Sequence, residues 1–301
     1  MKAAIRNSDG MALVITLLVV ALITAMVVEF SYGVYINTGA LYNWQNSQKL
    51  SLAAKSATKL AAKLISDQTS LRSYTYPGIL ELSQKIPSED LDGMIGIRIE
   101  DENSKFNLNT LGGFSVVFGS DKDKDPYNSL VRLLKALDLK TDIADRISYW
   151  IDSSTDHRPP YGQVATKDGK LGSVDELLLI PGIDQGTYEK LRPYVTIYGN
   201  NSININGASI PVLMSLSSSI TEDLATRIVS YRENTPFEKT SDILKVAGFD
   251  KIGQFPLGYI TVKGSTFYVT ATATSGGISR IVESVFELSG NIRYVRFWRE
   301  I

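Results

Sequence analysis

MALVITLLVVALITAMVV, residues 11–28, decides how the rest of this chain is read. As a helix these uncharged residues would span about 27 Å, at roughly 1.5 Å per residue, close to the hydrocarbon thickness of a bilayer. Upstream stands MKAAIRNSDG, which carries Lys2, Arg6 and Asp9 and stops at a glycine. An ordinary secretory signal places its cleavage site after the apolar stretch, so the stretch is lost. Here the candidate cut, Gly10–Met11, comes before it, and processing would leave the apolar helix on the mature protein. Lys2 and Arg6 put the N-terminus in the cytoplasm by the positive-inside rule. The body, Glu29–Ile301, is then expected across the membrane, which in a Gram-negative cell is the periplasm.

That order of parts is a prepilin-type signal; a plain N-terminal anchor accounts for everything except the placement of the glycine. The residues that follow strengthen the reading. From Glu29 to about Ser66 there is no proline. Leu41, Trp44, Leu52, Leu60 and Leu64 recur at helical spacing, with Gln48 as a polar break and Lys55 among them. Ala53, Ala54, Ala57, Ala61 and Ala62 favour an unbroken helix. Met11–Ser66 would then extend about 84 Å.

Composition bounds the remainder. With 301 residues the chain can bury one substantial core and a second. Its 31 basic and 32 acidic residues nearly balance, and loss of the leader would leave a net charge near −2. That balance offers no electrostatic case for a polyanionic partner. The chain has no cysteine, which excludes disulfides and thiolate metal sites.

In the body, MIGIRIE (94–100) alternates as a strand, and DENSKFNLNTL (101–111) continues through a turn to a second extended piece. Residues 112–127 read as a Gly- and Asp-rich loop. Leu130–Leu139 and Ile143–Ile151 look helical, with Thr141 as N-cap. SVDE (173–176) has the form of a capping box opening another helix. Further helical pieces are expected at Tyr188–Leu191, Ser209–Leu216, Thr221–Arg232 and Ser241–Val246. Phe267–Ala273 and Ile281–Leu288 alternate about Gly276-Gly277 as a hairpin, and Asn291–Trp298 adds a strand. The fold class expected is α+β: a long N-terminal helix packed on an antiparallel sheet, with a large all-α insertion of helix-hairpin-helix or SAM-like kind. The divisions expected are a leader (1–10), a membrane part of the helix (11–33), a first body segment (34–110), the insert (111–255) and C-terminal strands (256–301).

Several segments, taken in order, resemble the minor pseudopilin K family of type II secretion. They are the leader and stalk, DENSKFNLNTL, ISYWID, SVDELLLIPGIDQGTYEKLRPYVTIYG, SININGASIPVL, RIVSYRENTPF and the terminal YVRFWRE. The resemblance implies a pilin-like domain with a helical insert. It also implies a subunit at the pseudopilus tip, beside minor pseudopilins I and J, that is cut by a prepilin peptidase after Gly10 and N-methylated on Met11. Most pilin-type subunits carry a glutamate five residues into the mature chain, thought to attract the neighbouring N-terminal amine. Here that position is Ile15, and the first carboxylate is Glu29. A carboxylate buried in lipid is costly unless paired, and a subunit with no neighbour ahead of it gains nothing from one.

Three other readings compete with this one. LLLIPGID (177–184) and ILKVAGFD (243–250) resemble helix-hairpin-helix turns, which grip DNA phosphates in other proteins and would suit a minor pilin of a type IV pilus or competence system. Residues 174–250 carry a net charge of −4, with Asp184 and Asp250 directly after the turns, so helix packing is the better reading and no nucleic acid is expected. The family is associated with calcium, for which Asp152 and Asp156 are the candidate ligands. Asp121, Asp123 and Asp125 alternate with lysines and lack a closing glutamate. For catalysis there is no cysteine nucleophile, G-x-S-x-G elbow, Walker loop or H-E-x-x-H, and the one histidine, His157, sits beside Arg158 and two prolines. The chain reads as a structural subunit without an enzymatic cofactor.

Overall fold

A single helix, α1 (Ser8–Leu71), runs 64 residues, about 96 Å, and organises everything that follows. In this computed structural model residues 8–87, 92–112, 125–157, 166–249, 252, 255, 257–290 and 292–301 are described. α1 continues five residues past the expected end at Ser66. From Gly10 to Gln45 every residue but Gly33 is exposed. Beyond that point Leu50, Ala54, Ala57, Ala61 and Ile65 fall every three or four residues and are buried. Alanine there lets the helix axis lie close to a sheet. The larger apolar stripe read from the sequence faces elsewhere: Leu41, Trp44, Leu52 and Leu60 are all exposed.

After α1 come β1 (Ile79–Lys85) and β2 (Met94–Asp101). The insert follows as β3 (Phe106–Asn107), α2 (Pro126–Ala136), α3 (Asp142–Ile151), α4 (Gln185–Leu191) and β4 (Val195–Thr196). It continues with β5 (Ile203–Asn204), α5 (Ile210–Ser215), α6 (Glu222–Asn234) and β6 (Ile260–Thr261). The chain ends in β7 (Thr266–Ser275), β8 (Ile278–Ser289) and β9 (Ile292–Glu300). The main sheet has the order β1-β2-β7-β8-β9, and its neighbours all pair antiparallel. Ile97, Ile99, Phe267, Val269 and Phe286 meet the alanine stripe of α1. The β7–β8 turn uses Gly276 and Gly277, with φ of 53° and 79°, as the sequence suggested.

The insert leaves and returns at one place, because Asp101 at the end of β2 pairs with Phe267 in β7. It therefore spans 102–265 rather than 111–255. Phe106, Leu108, Ile260 and Val262, placed by the sequence reading in the pilin-like body, pack in the insert's own core. The insert is also not wholly helical, since β3–β4 and β5–β6 form two short parallel ladders. Local signals differ in detail. α2 starts at Pro126, four residues before its apolar pattern, because the Asp125 side chain accepts from Tyr127 N. Thr141 makes no side-chain cap bond. The SVDE segment forms a 3-10 turn, Val174–Leu179, in which Ser173 accepts from Asp175 N.

Two halves of the insert repeat one another. DIADRI (142–147) in α3 matches DLATRI (223–228) in α6, LLLIPGID matches ILKVAGFD, and PYVTIYG (193–199) matches GYITVKG (258–264). Buried hydrogen bonds repeat with them. Asn109 Nδ2 donates to the Leu171 and Ile197 carbonyls, at 3.0 and 3.1 Å, and its Oδ1 accepts from Leu171 N. Asn206 Nδ2 donates to the Phe237 and Val262 carbonyls, at 2.9 and 3.2 Å, and its Oδ1 accepts from Phe237 N. Asn206→Ala strands those three buried backbone groups, at a cost of about 2–4 kcal/mol. Urea midpoints of the detergent-solubilised chain are expected to fall accordingly, and less for the half-buried equivalent Asn109→Ala.

Candidate functional site: the exposed helix and the junction at its far end

Among the described residues none packs over the N-terminal half of α1. It is the one helix among the described residues long and apolar enough to cross a membrane, and none of its apolar window is buried. Gly10 lies in the first turn of α1, and a Cβ built on it meets nothing within 4 Å. Met11 and Ile15 are exposed. The structure thus keeps the candidate cleavage bond clear of the folded body.

At the opposite end of α1 the segment DENSK (101–105) fastens the insert to the body. Asp101 is 2 % exposed, and its carboxylate accepts from Asn204 Nδ2 (2.6 Å), Asn103 N (2.9 Å) and Thr75 Oγ1 (3.2 Å). Thr75 Oγ1 in turn accepts from Gly264 N at 2.8 Å. Asn103 Oδ1 takes the N–H groups of Ser265 and Thr266, where the chain re-enters the sheet. Lys105 Nζ lies 2.8 Å from both Glu100 and Glu102, and Glu102 also accepts from Thr196 in β4. Lys263 donates to the Thr69 carbonyl at the end of α1. Burial pushes Asp101 up to about 6, against the pull of its three donors. Glu100 is held below its ordinary range by Lys105 and Arg98, although burial opposes this. The sequence reading passed over Asp101 and Asn204; two polar residues inside extended apolar pieces were the available signal.

Both helix-hairpin turns are occupied from within. Gly182 (φ 92°) and Gly248 (φ 99°) take the left-handed conformation of a tight turn. Arg146 donates to the Pro181 carbonyl and Arg227 to the Ala247 carbonyl, each at 2.8 Å. Each arginine also pairs with the aspartate one helical turn earlier, Asp142 or Asp223. Asp184 caps α4 by accepting from Thr187 N at 2.7 Å, and this bond holds its carboxyl below the usual range. These contacts support the reading of the hairpins as packing devices. Asp250 lies outside the described residues.

Among the described residues the acidic turn does not assemble a calcium cage. Calcium takes six to eight oxygens. Asp152 Oδ1 already accepts from Ser154 N (2.9 Å) and Ser154 Oγ (2.5 Å), while Asp156 is exposed. Among the described residues no group of three His, Cys, Asp or Glu side chains could hold a metal. Asp121 and Asp123, like residues 158–165, lie outside the described residues. His157, expected in an exposed turn, is half-buried and stacks on Tyr127, with ring centroids 3.4 Å apart.

A long N-terminal helix seated at its far end on an antiparallel sheet, with a helical excursion between two adjacent strands, makes an α+β, pilin-like fold. Residues 104–200 match the family described as type II secretion system, protein K, and residues 199–252 match the helix-hairpin-helix motif. The two matches meet where the two halves of the insert meet. A type II secretion system protein K from Pseudomonas aeruginosa is 28 % identical over 175 residues, covering 52 % of this chain and 50 % of that protein. The chain is thus matched to about half the length of this curated relative. The fold is similar to that in the crystal structure of the GspK-GspI-GspJ complex from enterotoxigenic Escherichia coli. There the TM-score is 0.64 at 18 % identity, over 88 % of this chain and 99 % of that one. The resemblance to the minor pseudopilin K family is borne out, by sequence across the insert and by fold across nearly the whole chain.

The junction gives a pH prediction. The folded-state value of Asp101 lies above its ordinary 3.8, so the folded chain holds this proton more tightly than the unfolded one. The resulting stabilisation is full below pH 4 and is lost as pH rises through about 6. Acidification from pH 7 to 5 is expected to stabilise the wild-type chain by about 1.3 kcal/mol, read as a higher urea midpoint. Asp101→Asn is expected to abolish that rise. Glu100, shifted downward, acts below this window.

Proposed function

We propose that this chain is a non-enzymatic minor pseudopilin at the tip of a type II secretion pseudopilus. In this reading a prepilin peptidase cuts after Gly10, the new N-terminus at Met11 is methylated, and the Met11–Val28 helix holds the subunit in the inner membrane. The body then faces the periplasm until the helix enters a filament beside minor pseudopilins I and J. The observation that carries the proposal is the separation of the two ends of α1: bare apolar helix at one, the insert latched beyond Thr69 at the other. An insert of that bulk leaves no room for a subunit above it, so the chain caps the filament during export across the outer membrane. Ile15 in place of an acidic residue agrees with a subunit that has no neighbour ahead.

The competence alternative needs hairpin backbone free to meet phosphate. Here Arg146 and Arg227 are spent on the turns themselves, in a segment of net negative charge. No physical advantage for DNA follows from that arrangement.

Intact-mass spectrometry of protein extracted from peptidase-competent membranes is expected to show a chain beginning at methylated Met11. Gly10→Leu is expected to shift essentially all of it to the unprocessed mass. Wild-type protein still starting at Met1 in those membranes overturns the assignment.

A further inference from the structure

Between the apolar run and the folded body lies a length of α1 that neither of them uses. No charged residue stands between Glu29 and Lys49. The stretch carries Phe30, Tyr32, Tyr35, Tyr42 and Trp44, all exposed. Among them come Ser31, Asn37, Thr38, Asn43 and Gln45, which hydrogen-bond without charge. Aromatic rings set among neutral polar groups are what a bilayer's headgroup layer accepts. Burial against the body begins only at Ser47 and Leu50.

An unbent rod denies the far rings that layer. Met11–Val28 fills the hydrocarbon, which leaves Phe30 at its edge. Along the bilayer normal Trp44 would stand about 21 Å farther out, in water. A tilt of about 40°, the limit for ordinary spans, still leaves about 16 Å. Midway, however, the helix is weak. Gly33 and Gly39 bracket Val34, Tyr35, Ile36, Asn37 and Thr38. All of these rank below the Ala, Leu and Lys that dominate α1 against the sheet. A Cβ built on either glycine meets nothing within 4 Å, so no close contact within the chain calls for glycine there. α1 is continuous through this stretch but is held by its own ladder alone, which is where a helix yields first.

We infer that, in the membrane-anchored chain before it enters a filament, α1 bends at Gly33–Gly39 and lays Tyr42 and Trp44 in the headgroup layer. The partner is a lipid surface, and the placement rests on the membrane anchoring proposed above. The stretch continues directly from a segment suited to lipid, and it carries no charge that asks for a charged partner. The bend gives the folded body a second position, down beside the bilayer.

Trp44 is its own reporter. Trp150→Phe with Trp298→Phe leaves it the one tryptophan of the full-length chain. In vesicles of phosphatidylcholine brominated near the glycerol end of its acyl chains, Trp44 is expected to lose about half the emission it has in unbrominated lipid. High salt leaves that quenching unchanged. Adding Gly33→Ala and Gly39→Ala, which stiffen the joint, is expected to cut it about twofold. The chain has no cysteine, so Tyr42→Cys in otherwise wild-type protein gives a second reading with every tryptophan in place. A spin label there is expected to be relaxed more by oxygen, which partitions into lipid, than by a water-borne nickel chelate. A label at Lys135→Cys, on the exposed insert surface, shows the reverse. An unquenched Trp44, or a label at position 42 that behaves as the one at 135, overturns the bend and leaves the pseudopilin reading standing. Protein that alkaline carbonate strips from the vesicles overturns the anchoring, and the bend with it.

Discussion

One helix has to satisfy three surroundings at once, and its residue sizes show how. A bilayer would ask of α1 bulk apolar side chains and no unpaired charge, which Met11–Val28 offers. Against the sheet it needs closeness, so Ala54, Ala57 and Ala61 form the seam. There the large partners come from the strands, as Ile97, Phe267 and Phe286. On the third face Leu52 and Leu60 look outward. Exchanging the seam and the outward face would push the helix off the sheet.

The latch at the far end follows a different rule. A long excursion between adjacent strands must be tied at its base, or it would swing on two connections. The tie is polar and buried: Asp101, Asn103 and Asn204 reach Thr75, Gly264 and Ser265 across three stretches of chain. Such a network is directional, so it fixes orientation where an apolar patch would permit sliding. Its cost is a carboxylate held in an apolar surround, visible in the upward shift of Asp101.

Much of this was legible in the residues. α1, the β7–β8 hairpin, the insert helices and the family resemblance all carry strong periodic or segmental signals. The face of α1 that packs inward was not, because period alone reports a stripe and the eye follows leucine over alanine. β1 was missed since ILELSQK is an edge strand with one half-buried residue and no alternation to read. The insert's limits were misjudged because two-residue strands such as Phe106–Asn107 leave no pattern of their own. The doubling of the insert was present in plain sight, in PYVTIYG and GYITVKG, and shows itself once the asparagine clamps are compared. As for the candidate site, the glycine at the head of the apolar run was readable, whereas Asp101 needed coordinates.

The single attachment point of the insert has a mechanical meaning. A pull arriving through the anchored end of α1 passes into the sheet along the alanine seam, and the strands share it. The insert leaves and rejoins the chain at the ends of β2 and β7 and is tied to the last turn of α1 through Lys263. A load on the rod therefore meets the base of the insert at one small polar knot and reaches its repeated halves only through that knot.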